Sequence, residues 1–325
     1  MSLDAQILGA LRAAAGGVSG AELATQFGVT RAAVWSRIQE LRMLGYGIEA
    51  SPHMGYRLGA EPDVLHGDDL RLRLGRAKVV GRDIRVFQET TSTNDLVEKM
   101  ARDGVEEGIV IFAEKQTRGR GRLGRSWHSP RGLGIYVSIL FRPKVAPPAI
   151  TRLTIAAAAS VARAIELVTG LKPEIKWPND LLLRGRKVAG ILTEMNAEMD
   201  RVRHAIVGLG VDVNHESGDF PSELRGVATS LRLEQGRKVS RAELALAILR
   251  ELDRDYARAM SPRFEELADE WESRCTTIGQ QVVIRMGPRH LRGCAESLDA
   301  DGALLLRTEH GHLERVVGGD VTVEK

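Results

Sequence analysis

Residues 116–129 read QTRGRGRLGRSWHS. Arg118, Arg120, Arg122 and Arg125 are interleaved with Gly119, Gly121 and Gly124, and Trp127 and His128 follow. Guanidinium groups are forked donors that match phosphate or carboxylate oxygens. Glycines permit positive φ and let backbone N–H groups come close to an anion. The indole adds a stacking face. Three uses fit such a segment: a solvated loop, a grip on nucleic acid, or a cover over a small phosphate-bearing ligand. A bare Arg/Gly run favours the solvated loop. The context favours a ligand, because the run follows the apolar stretch GIVIFAEKQ (108–116), and sites are built at strand ends.

A second stretch, KWPNDLLLRGRKVAGILTE (176–194), offers different chemistry. Pro178 stiffens a turn, and Asn179 and Asp180 present an amide and a carboxylate at one point on the chain. Lys187 opens the apolar run VAGIL, where a fixed charge can be aimed at a phosphate. Taken singly, Asn-Asp is a common turn pair and most lysines are merely solvated. In ETTSTNDL (89–96), Ser92, Thr93 and Asn94 suit a helix N-cap as well as a ligand. In VGLGVDVNH (207–215), Gly208 and Gly210 inside a strand pattern predict close approach by another group. There is no HExxH, paired CxxC or GxSxG. GRGRLGR is neither a P-loop nor a dinucleotide fingerprint.

The elements that must hold these residues fall into three parts. A length of 325 residues predicts about two or three domains. Apolar content of 43% and charged content of 27% are those of a soluble globular chain. The net charge of +3 is small, so any nucleic-acid contact must come from a local patch. MSLDAQ lacks the pattern of a secretory leader. The most apolar stretch, residues 153–168, is Ala-rich and broken by Arg163, which predicts a buried helix and no membrane span. Cys275 and Cys294 have no metal or redox spacing, so reduced thiols and a cytoplasmic location are expected.

Residues 1–60 predict helix, tight turn, helix and hairpin. Thr30 caps the second helix, Val34, Ile38 and Leu41 face a core, and Gly45 ends it. Arg31, Trp35 and Arg37 are left on other faces. This is a winged helix-turn-helix pattern, in which the second helix enters the major groove; a packing or docking module is the alternative. Residues 59–69 suit a linker. Residues 61–275 predict a mixed α/β domain, with strands in GIYVSILF, EIKWPNDLLL, RKVAGILTEM and HAIVGLGVDV. A long buried helix covers 150–168, and Ser240 and Glu243 propose a capping box for another. Residues 276–325 contain no helix pattern and predict a small β-barrel. The fold class is α+β.

TTSTN (90–94), QTRGRGRLGRSW (116–127), KWPNDLLL (176–183), RKVAGILTE (186–194) and VGLGVDVN (207–214) together resemble the biotin protein ligase family, in that family's order and rough spacing. The N-terminal unit is similar to the winged helix of its bifunctional ligase/repressor members. The C-terminal part resembles its SH3-like barrel. The resemblance implies a two-step ligase: biotin and MgATP give biotinyl-5′-AMP, and a lysine of the biotin carboxyl carrier protein of acetyl-CoA carboxylase then takes the biotin. It implies Ser92, Thr93, Asn94 and Gln116 around the biotin ureido ring. Arg120, Gly121 and Arg122 would lie on the biotin carboxylate and phosphate. Arg125, Trp127 and Asn179 would serve the adenylate. Lys187 would span carboxylate and α-phosphate, with Lys187, Arg122 and Asp180 as the catalytic set. Arg31, Trp35 and Arg37 would meet operator DNA. Biotin would also act as co-repressor through a ligand-promoted homodimer. The metal ligands are left open.

One position departs from the family pattern. Gly210-Val211-Asp212-Val213-Asn214 carries Asp where many members have Asn. A carboxylate there brings negative charge toward phosphates unless it is protonated or helps to hold Mg²⁺. The role of that Asn is therefore not transferred to Asp212. Three alternatives remain: a ligand-sensing regulator without catalysis, a lipoate-type ligase, and an Arg/Gly loop that binds nucleic acid directly. Intact Arg120, Arg122, Asp180 and Lys187 argue against the first, and the pairing of KWPND with GRGR favours biotin.

Overall fold

The computed structural model describes residues 2–14 and 16–324. The N-terminal unit comprises α1 (Leu3–Ala13), α2 (Gly20–Phe27), α3 (Arg31–Met43), β1 (Ile48–Ser51) and β2 (Gly55–Leu58). Helix α1 adds to the expected helix pair. Ser19 caps α2 in a reciprocal box with Glu22, and Thr30 Oγ1 accepts from the Ala33 N–H at 3.1 Å to cap α3. Val34, Ile38 and Leu41 are fully buried against Ile7, Leu8, Leu11 and Leu23, in a core of their own. Gly45, with φ 94°, turns the chain out of α3.

The expected linker is a pinned joint. Residues 59–66 have no regular structure, but α4 (Gly67–Leu74) already begins within the predicted linker. The Arg12 guanidinium in α1 bonds both Glu61 and Asp69. Asp63 accepts from the Arg241 backbone N–H at 2.9 Å, and the Leu65 N–H donates to Glu114 at 3.0 Å. Arg241, 1% exposed, also donates to Glu114 at 2.6 Å. Buried charges of this kind persist when paired and fully hydrogen-bonded.

The central unit contains β3 (Asp83–Phe87), α5 (Thr93–Arg102), β4 (Ile109–Ala113), β5 (Gly134–Phe141), α6 (Thr151–Thr169), β6 (Glu174–Lys176), β7 (Asp180–Leu183), β8 (Arg186–Glu198), β9 (Arg201–Asp212), α7 (Leu231–Gln235), α8 (Arg241–Ala259) and α9 (Phe264–Arg274). Its strands form one sheet in the order β3-β4-β5-β9-β8-β7-β6. Only β3 and β4 run parallel; the other pairs are antiparallel. Strand β5 is buried at all eight residues, which explains its unbroken apolar run. Helices α6 and α8 pack together beside it. Arg163, the charge that interrupts α6, is met by Glu251, Asp255 and Glu270 from α8 and α9. Leu244, Ile248, Leu252 and Tyr256 of α8 all face the core. The proposed capping box of α8 is half formed. Ser240 Oγ accepts from the Glu243 N–H at 3.3 Å, but the Glu243 carboxylate pairs with Arg73 instead.

The C-terminal unit is a five-stranded antiparallel sheet. It contains β10 (Gln281–Met286), β11 (Arg289–Leu298), β12 (Leu304–Thr308), β13 (Leu313–Val316) and β14 (Asp320–Val323), in the order β13-β12-β11-β10-β14. Strand β11 is an addition to the expected set. Val282, Ile284, Leu304, Leu306 and Val321 join the same apolar core as the central sheet. The two units thus share one interior. Among the described residues, no helix is long and apolar enough to cross a membrane.

Candidate active site

A cavity of about 750 Å³ lies against β8 and β9, with the 116–128 loop, the WPND turn and the C-terminal sheet as its other walls. That volume suits a ligand of small-molecule size. Ser92, Thr93, Asn94 and Gln116 meet at one end of it. Ser92 occupies the N-cap position of α5 but makes no side-chain cap bond, which leaves its hydroxyl for another use. Gln116 Oε1 accepts from the Thr93 N–H at 2.8 Å, and its Nε2 donates to Ser129 at 3.0 Å. Asn94 Nδ2 donates to Glu194 at 2.6 Å, and its Oδ1 accepts from Ser138 at 2.5 Å. The Asn94 amide is therefore positioned at both ends. The close approach predicted at Gly208 is this residue: a Cβ there would sit 2.3 Å from Asn94 Oδ1.

The Arg/Gly segment is a tight hairpin. The Trp127 N–H bonds Gly119 O at 2.8 Å, and the Gly121 N–H bonds Arg125 O at 2.7 Å. The glycines act differently from one another. Only Gly124 adopts positive φ, at 74°. Gly119 is needed for closeness, because a Cβ would lie 2.5 Å from Trp127 O. Gly121 is extended and spares room by neither route. Leu123 takes the left-handed conformation, at φ 56°, and projects its side chain into solvent. Trp127 lies on the strand glycines: a Cβ at Gly210 would meet its ring at 2.4 Å, and one at Gly190 at 3.1 Å. This indole is the group whose approach Gly210 accommodates.

The cations of the site are not equivalent. Arg120 pairs with Asp95 and Glu194, each at 2.9 Å, at the Ser92–Asn94 end. Arg125 pairs with Asp320 at 2.5 Å. Lys187 pairs with Asp180 at 2.6 Å and stands 5.2 Å from the centre of the Trp127 ring. Among the described residues, Arg122 meets only neutral acceptors, Asn179 Oδ1 at 3.2 Å and Gly319 O at 3.5 Å. Burial lowers its pKa, with Asp180 and Asp320 opposing. The structure thus brings all the expected pocket residues to one cavity.

Asp212 also lines this cavity and is 5% exposed. Burial pushes its carboxyl well above the ordinary range, against the pull of Lys187. His215 stands beside it, with Nε2 at 3.6 Å from Asp212 Oδ1. His215 is fully buried, stacked on Phe220, and neither ring nitrogen has a hydrogen-bond partner. Burial brings its pKa down to about 4, with His128 acting in the same direction and Asp219 opposing. Of the readings the sequence leaves open for Asp212, a charge against phosphates, a protonated acid or a helper to Mg²⁺, its depth favours the protonated acid.

Several lining residues escape sequence reasoning. Arg285, Gly319 and Asp320 come from the C-terminal sheet, and Lys176 from the end of β6. Lys176 adjoins the WPND turn, and that adjacency is its only signal. Arg285 sits in an alternating strand and reads as a solvated position. The residues expected at DNA lie elsewhere, on α3. Arg31 and Trp35 are exposed, and Arg31 has no ion-pair partner among the described residues. Arg37 is exposed too, but bonds Glu40 at 2.6 Å.

Comparison with known proteins adds to this geometry. The sequence model of the Biotin/lipoate A/B protein ligase family matches residues 86–212. An HTH domain matches residues 4–57, and the Biotin protein ligase C terminal domain matches residues 277–323. The bifunctional ligase/repressor BirA of Bacillus subtilis is 38% identical over 304 residues, covering 94% of this chain and 93% of that protein. The protein of the same name from Escherichia coli is 30% identical over 311 residues, covering 94% and 92%. A solved structure, biotin protein ligase from Aquifex aeolicus in complex with biotin and ATP, matches with a TM-score of 0.63 at 29% identity, covering 75% of this chain and 99% of that one.

Proposed function

The chain belongs to the biotin protein ligase family, in its bifunctional ligase/repressor form, and from that premise we propose how its cavity makes and keeps an acyl adenylate. The reaction has two steps. A biotin carboxylate oxygen attacks the α-phosphorus of ATP, and the bond to the bridging oxygen breaks to release pyrophosphate. The amine of a carrier lysine then attacks the acyl carbon of biotinyl-5′-AMP, and AMP leaves with the electrons of the broken C–O bond.

The first step brings a carboxylate against a phosphate. Fixed cations must offset that repulsion and the charge of the transition state. The observation that carries the reading is the cavity's charge balance. Arg120, Arg122, Arg125, Lys176, Lys187 and Arg285 line it, against the carboxyls of Asp180, Asp212 and Asp320. Ser92, Thr93 and Gln116 receive the ureido end, with Asn94 shaping the floor. Arg120, Gly121 and Arg122 face the biotin carboxylate. Trp127, Arg125 and Asn179 hold the nucleotide.

Lys187 is the central charge. In the free protein its partner is Asp180, at 2.6 Å. When carboxylate and α-phosphate arrive, Lys187 turns to them and Asp180 loses its counterion. Asp180 is then free to accept a proton from the carrier lysine in the second step. The hairpin of residues 118–127 covers the adenylate and keeps water out until the carrier arrives.

Magnesium fits as a companion of ATP. Mg²⁺ takes one or two protein oxygens with substrate phosphates and keeps several waters. Asn179 and Asp180, which line the cavity, would offer such oxygens to the ion. Among the described residues, no cluster of three His, Cys, Asp or Glu forms a protein cage. Bound with ATP, the ion supplies charge neutralisation on the triphosphate.

Biotin-dependent ATP–pyrophosphate exchange tests the reading. Wild-type exchange should be lost in Lys187→Ala and in Arg122→Ala. Full exchange in both variants would remove these residues from the chemistry. Asp180→Asn should slow transfer from preformed adenylate, and a wild-type transfer rate would remove its role. The N-terminal unit makes the protein a repressor as well. Arg31 and Trp35 on α3 face operator DNA, with Arg37 beside them. A ligand-promoted dimer would place two such helices about 34–36 Å apart, or a multiple of that.

A further inference from the structure

One carboxylate joins two of the groups at the Ser92–Asn94 end of the cavity. Glu194 lies on β8 and is half-buried. Its Oε2 accepts from Asn94 Nδ2 at 2.6 Å and from Arg120 Nη2 at 2.9 Å. Asn94 and Arg120 both line the cavity, one from α5 and the other from the hairpin. Asp95, the next residue of α5, meets the same Nη2 at 2.9 Å. Both ion pairs of Arg120 thus use one nitrogen of the guanidinium, and the fork has further donors to offer a ligand.

Behind Asn94 stands a chain of hydrogen bonds whose direction Glu194 decides. A carboxylate only accepts, so the Asn94 amide must give it Nδ2 and turn Oδ1 the other way. Oδ1 meets Ser138 Oγ at 2.5 Å. Ser138 is fully buried on β5, as the register partner of Gly208. Its single proton is committed to Oδ1, so Thr93 Oγ1, 2.7 Å away, must supply the proton of the next bond. Thr93 Oγ1 is then an acceptor toward the cavity. Gln116 joins Thr93 to Ser129, and Ser129 donates to Trp127 O at 3.1 Å. The chain therefore returns to the hairpin that carries Arg120. Such networks polarise along their length, so a charge at one end sets the polarity of the rest.

We propose that Glu194 is a positioning residue for the ligase reaction. It fixes how the Asn94 amide and the Thr93 hydroxyl are presented to biotin, and it holds the Arg120 guanidinium at the biotin carboxylate. The proposal rests on the ligase reading, which puts biotin at Ser92–Asn94. Glu194 acts through Asn94 and Arg120, so its loss falls on biotin and the adenylate and spares ATP. It also gives Ser138, a hydroxyl in the middle of a buried strand, its use.

The test is ATP–pyrophosphate exchange with biotin and ATP varied in turn. Glu194→Ala frees the Asn94 amide to turn over and should raise the biotin KM by about tenfold, the effect of leaving one buried donor unpaired. The ATP KM should stay within about twofold of wild type. Glu194→Gln keeps an oxygen for Asn94 Nδ2 and should recover most of the biotin KM. It loses the charge that faces Arg120, so preformed biotinyl-5′-AMP should leave it faster than wild type. In an Asn94→Ala background, Glu194→Ala should raise the biotin KM by less than about twofold, because the group it acts through is gone. An unchanged biotin KM in Glu194→Ala would overturn the proposal. So would an equal rise in both KM values, the mark of a loosened wall, or additive effects of Asn94→Ala and Glu194→Ala. Wild-type exchange run alongside separates the levels. If it is present, any of these results removes Glu194 alone. If it is absent, the ligase reading and the proposal fall together.

Discussion

A buried neutral imidazole next to the site makes stability depend on pH in a calculable way. His215 is fully buried, its ring 4.9 Å from that of Phe220 and tilted by 20°. Burial takes its pKa from 6.5 to about 4 in the folded protein. Between those values the unfolded chain binds the proton and the folded chain does not. Stability is therefore full above pH 6.5 and is lost as pH falls toward 4. One proton gives a slope of about 1.4 kcal/mol per pH unit, and the whole shift is worth about 3 kcal/mol. The groups facing His215 are His128, Asp219 and Asp212. Asp212 acts in the opposite sense: its raised pKa gives stability that is present at low pH and is lost as pH rises. The variant His215→Phe keeps the stack on Phe220 and removes the titration. Urea unfolding of both proteins from pH 7 to pH 4 isolates the effect, because other groups cancel in the difference. Wild type should lose about 3 kcal/mol relative to the variant over that range, in an Asp212→Asn background as well. Parallel curves would refute the buried neutral histidine.

Other expectations follow from particular contacts. Gly210→Ala places a Cβ 2.4 Å from the Trp127 ring, so the indole must leave the strand. It should cost about 1–3 kcal/mol in thermal unfolding and weaken ATP more than biotin in titrations. Gly208→Ala collides with Asn94 Oδ1 at 2.3 Å and should weaken biotin more than ATP. Arg12→Ala leaves the Asp69 carboxylate, 3% exposed, with only Arg73 at 3.9 Å. It should cost about 1–3 kcal/mol and speed proteolytic cleavage within residues 59–66. Trp35 is 58% exposed, so Trp35→Ala should shift stability by less than about 0.5 kcal/mol while operator affinity falls. Arg31→Ala should reduce the salt slope of DNA binding by about 1. Arg37→Ala should reduce it less, since Arg37 already bonds Glu40.

What the sequence made legible was local. Thr30, Ser240 and the apolar faces of α3 and α8 act within a turn or two of helix, and short-range patterns report them. The strand glycines 208 and 210 announced a close approach, though the sequence did not name Asn94 and Trp127 as the groups that approach. The motif residues from Ser92 to Lys187 converge on one cavity as expected. What was hidden depended on contacts across the chain. The linker looked free because its anchors, Arg12, Glu114 and Arg241, lie as far as 178 residues away in sequence. The C-terminal wall was hidden for the same reason. Arg285 alternates with buried Val282 and Ile284 and carries no mark of a site. Spacing also overstated the likeness of the arginines. Arg120, Arg122 and Arg125 look interchangeable in the sequence, yet two are neutralised by carboxylates and one is not.

Asp212 shows how depth changes the meaning of a residue. On sequence alone, a carboxylate in place of the family's amide sets a negative charge against phosphates. At 5% exposure, the desolvation cost falls on the ionised form and drives the carboxyl well above its usual range. A protonated carboxyl has one O–H donor and one carbonyl acceptor. An amide offers the same two functions from the same branch point. The substitution then preserves the hydrogen-bonding pattern facing the cavity and adds a condition, because that pattern holds only while the acid stays neutral. Lys187 works against the condition, since its charge favours ionisation of Asp212. When Lys187 is drawn toward a carboxylate and a phosphate, its hold on Asp212 weakens and the neutral acid is favoured further. Bound anions and a protonated Asp212 therefore support each other, and the departure from the family pattern is consistent with the same chemistry.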